Sequence, residues 1–326
     1  MSISEIETFG YYTATSCVVG KPDFTSQPEC ELSPINSCPR GESAVEDKLL
    51  KSGHYLVYPD GTIHSRYFNG LQSNATPPTD PLIVGKAEDI QEGTENSFCM
   101  VWEGYECYTG LKNWVRVQSE TSPPIYVSDN HNLAFFGWEE ARVMGFIEDG
   151  ALLIHMDRHR DNHDQGVYVH DKNNLEYVAR KTEEMSIASF IIPAIYDDTL
   201  SENWNFYLSP RNNDKYALSM EGMRLDKNLS NNNPFSDVID ADLSWLIQKG
   251  GSPKKLVLDI DIDAFVAKHI YSGDESSLDN CMEAAQFIGS IANKFGVITL
   301  ATSPGFADQT AAAECARQIV QAVTCP

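Results

Sequence analysis

Positive charge is scarce in this 326-residue chain: 24 Lys and Arg stand against 47 Asp and Glu, a formal net charge of −23. Such a field repels polyphosphates, so no nucleic-acid partner is expected, whereas a cationic substrate or a bound metal ion suits it. A solvated acidic surface that maintains solubility is the plainer reading of much of the excess. Cysteine is sparse too, 8 residues with no CxxC pair, well short of a disulfide framework. No apolar run approaches the ~18 residues of a membrane span, and no membrane partner is expected. The first nine residues carry two Glu and no basic stretch, so no secretory signal is read and the expected compartment is cytoplasmic. Internal repeats and low-complexity blocks are also missing.

What is present is the composition of an ordinary soluble protein, 42% hydrophobic and 22% charged. At about 150 residues per domain, the length suits one large or two small domains. The first 45 residues are rich in Ser, Pro, Cys and Glu without periodicity and read as an irregular arm or cover. Residues 53–67 read as a β-hairpin turning at Asp60-Gly61, 73–81 as a loop, and 98–118 as short strands or loops. After Ser122-Pro123-Pro124 the texture changes to strands followed by amphipathic helices. The expected organisation is therefore an irregular N-terminal region with short strands over 1–121, a candidate substrate cover, and a main unit over 122–326. Strands are expected at Ile125-Tyr126-Val127, Leu152-Leu153-Ile154, 256–262 and Val297-Ile298-Thr299-Leu300, with helices at 133–146, 278–294 and 307–323. That alternation predicts an α/β fold, a parallel sheet between two helical layers, with ligands gathered at the carboxyl ends of its strands.

Residues able to hold a metal sit where those strands run out. In Ile154-His155-Met156-Asp157-Arg158-His159-Arg160-Asp161-Asn162-His163, the side chains of Asp157, His159 and Asp161 would leave an extended segment on one side. In Leu258-Asp259-Ile260-Asp261-Ile262-Asp263-Ala264-Phe265, three carboxylates at spacing two on an apolar strand repel one another unless a cation lies between them. His131, in Val127-Ser128-Asp129-Asn130-His131, ends a short strand just before a helix. Oxygen and imidazole donors converging in this way suit hard or borderline divalent ions such as manganese.

A single His after a first strand, DxHxD after a second, and DxD followed by Ala-Phe after a distant third resemble the arginase and agmatinase family, the ureohydrolases. The forms DNHN before a Trp-Glu-Glu helix, HMDRHRDN, LDIDIDAF and TLATSPGF are most similar to peptide arginases of ribosomal peptide biosynthesis. The resemblance covers about residues 122–326. It implies a three-layer arginase-like fold and two Mn2+ ions, one held by His131, Asp157, Asp161 and Asp261, the other by His159, Asp157, Asp261 and Asp263. Asp157 and Asp261 would bridge, and Asp261 would thereby take part in catalysis. Asp259, where many ureohydrolases have Ser, is assigned to a supporting role, with the alternative that Asp259 and Asp261 form the DxD pair; Asp129 is a further candidate, orienting His131. Four Asp and two neutral His balance two divalent ions.

The implied reaction is attack of activated water on a guanidinium carbon, converting peptidyl arginine to ornithine and releasing urea. His163 or His170 would shuttle the proton, the alternative for each being an ordinary surface His. The arginase GGDH sequence is absent, as are an Asp-Pro after the DxD strand and the guanidinium-binding Glu before a late Asn-Pro; Ala301-Thr302-Ser303-Pro304 stands there instead. Guanidinium contacts are therefore sought among Ser303, Asp308, Glu139, Glu140 and Asn162, with Trp138 either a wall of the site or core packing of its helix. The expected partner is an arginine-containing precursor peptide. Small-molecule ureohydrolase activity on agmatine or a guanidino acid, and a non-catalytic metal-containing peptide-binding protein, are the alternatives; the sequence leaves monomer and homo-oligomer both open.

Overall fold

The computed structural model describes residues 53–57, 63–65, 82–101, 105–164, 166–209, 217–224, 235–237, 243–266 and 278–325. The arm of the first 45 residues, the Asp60-Gly61 turn and the 73–81 loop lie outside these. Gly53–Val57 (β1) and Ile63–Ser65 (β2) pair antiparallel, and β1 pairs in turn with Glu92–Val101 (β4), which pairs with Tyr105–Leu111 (β5). Together they form a four-stranded sheet.

A nine-stranded sheet carries the rest. It comprises Ile83–Gly85 (β3), Val115–Val117 (β6), Ile125–Ser128 (β7), Ala151–Met156 (β8), Leu200–Ser209 (β9), Ala217–Arg224 (β10), Phe235–Asp237 (β11), Leu256–Asp261 (β12) and Val297–Ala301 (β13). Their spatial order is β11-β10-β9-β8-β12-β13-β7-β6-β3. The five central strands, β9 to β7, run parallel; β10 and β6 turn back antiparallel at either side. β3 and β6 precede the boundary expected at 121/122 and extend this same sheet. The hairpin β9–β10 and its neighbour β11 had no counterpart in the sequence reading. Glu202, Asn203 and Asn205 interrupt the apolar pattern of β9, and the last two are buried in the fold.

Every residue of β8, β12 and β13 is buried, as a parallel sheet covered on both faces requires. Successive side chains point to opposite faces, and the core divides accordingly. Leu152, Ile154, Leu258, Ile260, Ile298 and Leu300 pack against Leu246 of helix α4 (Leu243–Gly250), Ile288 of α5 (Leu278–Ile291) and Ile319 of α6 (Gln309–Thr324). Leu153, Val257 and Val297 face the other way. They meet Phe135 and Trp138 of α1 (Ala134–Val143), Val178 of α2 (Leu175–Glu184) and Ile191 of α3 (Ile191–Tyr196). Gly137 lets α1 approach closely, since a Cβ there would lie 3.0 Å from Tyr126 Cγ and 3.1 Å from Thr299 Cγ2. Cys281 and Cys315 are free thiols buried in the first of these layers. Among the described residues, no helix is long and apolar enough to cross a membrane.

Ile260 is wholly buried on the strand that carries Asp259 and Asp261. Ile260→Ala is expected to destabilise the protein by about 2–5 kcal/mol through lost apolar burial and a residual cavity. Urea unfolding checks this: the midpoint should fall with the slope unchanged.

Candidate metal centre

The parallel strands β7, β8, β12 and β13 end along one edge of the sheet, where α/β folds collect ligands. Donors converge there through turns rather than through the extended alternation expected from the sequence. β8 stops at Met156; Asp157 Oδ1 then accepts the His159 backbone N–H at 2.8 Å, closing a local turn, and Asp161 takes a left-handed φ of +45°. β12 likewise stops at Asp261, whose carboxylate caps a 3-10 turn by accepting the Asp263 N–H at 3.0 Å. Each of these carboxylates accepts the backbone N–H two residues on, which turns the chain out of the strand direction. All the same, the turns bring the side chains to one place.

His131 Nδ1 lies 3.0 Å from Asp161 Oδ2, 3.3 Å from Asp261 Oδ2 and 3.5 Å from Asp157 Oδ2. On the outer side, His159 Nδ1 is 3.2 Å from Asp157 Oδ1 and 3.3 Å from Asp263 Oδ2. Asp157 thus offers one oxygen to each side. Ligand atoms of Asp157, His159, Asp261 and Asp263 all lie within 4.8 Å of one another, as do those of His131, His155 and Asp157. His131 Nδ1, His155 Nε2, Asp157 Oδ2 and Asp263 Oδ1 are buried without a hydrogen-bond partner. Orphaned donor atoms of this kind are costly unless a cation satisfies them, and the N and O donor set fits a divalent ion. The residues His131, Asp157, Asp161 and Asp261 could hold one ion, and His159, Asp157, Asp261 and Asp263 a second.

Behind the donors, a polar row crosses the sheet. Asn205, His155, Asp259, Thr299 and Tyr126 are register partners on adjacent parallel strands β9, β8, β12, β13 and β7, and so share one face. Asp259 Oδ2 accepts from both His131 Nε2, at 2.9 Å, and His155 Nδ1, at 2.7 Å. Thr299 Oγ1 donates to Asp259 Oδ1 and itself accepts from Trp138 Nε1 at 3.0 Å. This chain fixes which nitrogen of His131 faces the carboxylates. Ser303, in a left-handed conformation at φ +47°, donates to Asp261 Oδ2 at 2.7 Å. Phe190 packs over the two inner histidines, with centroids 4.7 Å from His131 and 6.4 Å from His155.

Burial pushes the Asp161 carboxyl up, and the neighbouring Asp157 charge adds to it. Asp263 is raised well above the carboxylate range, first by burial and then by Asp261 and Asp157, against His159 and Arg158. Asp157 and Asp259 go the other way. Burial would raise both, but the surrounding histidines outweigh it, holding Asp157 well below the ordinary range and Asp259 at about 2. Burial opposes charge on His155, yet Asp157 and Asp259 lift it to about 10. His131 is also raised, mainly by Asp259 acting against burial. His159 shifts upward too, though its side chain is 49% exposed and solvent weakens the pull of Asp263 and Asp157. Without a cation, the cluster balances its negative charge by retaining protons.

Several expected substrate residues are placed elsewhere. Trp138 is fully buried against Phe190 and supports Thr299, so it packs the core rather than walling the site. Glu139 is buried and accepts from Thr199 and Arg142, while Glu140 accepts from Arg116 and Tyr126, both at 2.7 Å. Each is held by another cation: Glu139 by Arg142 of its own helix and Glu140 by Arg116 of β6. Asp308 is exposed and caps α6 through the Ala311 N–H. Asp129 accepts from the Asn130 N–H at 2.7 Å, close beside Gly110 and Ser97; Asp259, not Asp129, orients His131. His163 and His170 are exposed, the first bonded through its backbone N–H to Ala188 O, the second near Asp197. Asn162 is half-buried. His155 and Thr299 went unassigned in the sequence reading. His155 precedes Asp157 by two along the chain, a period-two signal; Thr299 carries none, since its role depends on strand pairing.

Among solved structures, the chain is similar to proclavaminate amidino hydrolase from Streptomyces clavuligerus, at 8% identity over 61% of this chain and 63% of that one, with a TM-score of 0.33. It is also similar to formimidoylglutamase from Bacillus subtilis subsp. subtilis str. 168, at 10% identity over 64% of this chain and 60% of that one, with a TM-score of 0.33. The chain thus spans less than two thirds of the length of either structure. No family model and no curated protein matches it.

Two outcomes follow from the cluster. Asp157→Ala and Asp261→Ala should each abolish binding of both ions, since each removes an oxygen from either side; elemental analysis that still finds two ions in both variants contradicts the shared roles. Protons held on Asp161, Asp263, His131 and His159 must also leave when a cation enters. Because those groups are raised, protonation competes at low pH and fades as pH rises, so apparent metal affinity should climb from pH 6 to 8 with net proton release. Calorimetric titrations in buffers of different ionisation enthalpy check this, and a pH-independent affinity contradicts it.

Proposed function

We propose that the protein is a dinuclear metal-dependent hydrolase of an amidine C–N bond, acting on arginine side chains within a peptide to leave ornithine and release urea. The observation that carries this reading is the convergence of His131, Asp157, Asp161, Asp261, His159 and Asp263 around buried, partnerless donor atoms at the carboxyl edge of a parallel sheet. Two divalent ions, proposed as Mn2+, would supply a water molecule acidified toward neutral pH and positioned for attack.

The protein's own residues hold the rest of the geometry. Asp259 presents His131 Nδ1 to the carboxylates, and Ser303 fixes the rotation of Asp261. His159, half exposed, lies at the solvent side, with Phe306 edge-on to it at 5.5 Å between centroids. Phe306 packs in turn on Phe98 of β4, also at 5.5 Å, with Tyr108 of β5 beside Phe98. Gly305, at φ +88°, permits this approach, because a Cβ there would lie 2.9 Å from Phe98 Cδ1. Residues upstream of 122 therefore build part of the rim, which supports a role for that region in receiving substrate. The expected guanidinium ligands Glu139, Glu140 and Asp308 are engaged elsewhere, so a free amino acid finds few clamps. Flanking peptide is then the source of binding energy, and the acidic surface favours a cationic segment.

Urea release by the metal-loaded full-length protein tests the reading. The specificity constant for an arginine-bearing peptide should exceed that for free arginine or agmatine by about 10²-fold or more. Comparable turnover of all three points to a small-molecule ureohydrolase, and metal binding without urea release points to a non-catalytic metal protein.

A further inference from the structure

His155 is the one imidazole of the cluster that belongs to neither of the two four-residue ligand sets given above. Its ring is fully buried, stacked on His131 with centroids 5.3 Å apart and planes 24° from parallel, and covered by Phe190. Nδ1 donates to Asp259 Oδ2 at 2.7 Å, the same oxygen that accepts from His131 Nε2. One carboxylate oxygen thus orients both rings, each with its bonded N–H turned back to Asp259 and its other nitrogen turned toward Asp157.

That other nitrogen, His155 Nε2, lies 3.2 Å from Asp157 Oδ2, yet both atoms are left without a hydrogen-bond partner. His131 Nδ1 is in the same situation, 3.5 Å from the same oxygen. Three orphaned atoms, two nitrogens and one oxygen, belong to a group whose ligand atoms lie within 4.8 Å of one another. Donors at about 2.0–2.2 Å from one ion, at tetrahedral or octahedral angles, lie about 2.9–3.5 Å from each other. The observed separations of 3.2 and 3.5 Å fit that spacing, and the atoms make no hydrogen bond that would otherwise account for it.

We propose that His155 Nε2 is itself a metal ligand, so that the inner ion is bound by two imidazoles, His131 and His155, together with Asp157. The assignment rests on the metal-centre reading above and adds a donor to it. Asp259 then does more than orient one ligand. It selects the ligating nitrogen of two histidines at once, and Thr299 and Trp138 hold it in place from behind.

The test uses the full-length protein with 15N-labelled histidine, loaded with 113Cd2+, and counts the ring nitrogens split by coupling to the metal. Three coupled nitrogens are expected, from His131, His155 and His159, and His155→Gln should remove one and leave two. Two coupled nitrogens in the unmodified protein, with His155 Nε2 still bearing a proton, overturn the assignment while leaving the dinuclear reading intact. No coupled nitrogen overturns both. Because the unmodified protein alone yields the count, failure of the variant to fold does not blunt the test, and the readout is independent of any hydrolytic activity.

Discussion

Carboxylates crowded inside a protein repel one another and lose their hydration, and this constraint governs the carboxyl edge of the sheet. Asp157, Asp161, Asp259, Asp261 and Asp263 are all buried within one region. A cluster of this kind is tolerated only with compensating positive charge, whether protons on the histidines and carboxyls or divalent cations between them. The upward shifts of Asp161 and Asp263, and the lift of His155 to about 10, are the metal-free form of that compensation. A cation would replace those protons and satisfy donor atoms that no hydrogen bond reaches.

The scaffold suits this chemistry because it is stiff where the donors are attached. β8, β12 and β13 are buried on both faces, so the backbone that carries His155, Asp157, Asp259 and Asp261 has little room to relax. The polar row through His155, Asp259 and Thr299 lies on the face covered by α1 and α3, where Trp138 and Phe190 exclude water. In that setting each hydrogen bond is strengthened and each unmatched group is costly. Fixed donors hold a preferred geometry for an ion without rearrangement on binding.

The rim is made differently. The 302–307 loop is tied to the ends of β7 by the Thr302 N–H to Ser128 O and the Ser303 N–H to Asp129 O. It delivers Ser303 inward to Asp261 and Phe306 outward to His159, and the outward side meets Phe98 and Tyr108 from the antiparallel sheet. The solvent side of His159 is therefore lined by residues upstream of 122 as well as by the 302–307 loop.

The central strands and the helices that follow them were legible in the sequence, because apolar runs of four to six residues bounded by turn signals have few other outcomes in a chain of this length. The donor residues were legible too: Asp, His and Asp at spacing two, at the end of such a run, are difficult to accommodate without a cation. Their manner of convergence was not, since turns at Asp157 and Asp261, rather than continued strands, aim the side chains. Trp138, Glu139, Glu140 and Asp129 lay beside a motif yet are turned to other partners, and only packing decides which way a side chain on a helix or loop faces. His155 and Asp259 are 104 positions apart, and their shared hydrogen bond depends on β8 and β12 pairing in a particular register. Sequence by itself determined which residues could bind metal, because that is local chemistry; tertiary structure alone decided which of them meet, because register and layer packing are properties of the whole sheet.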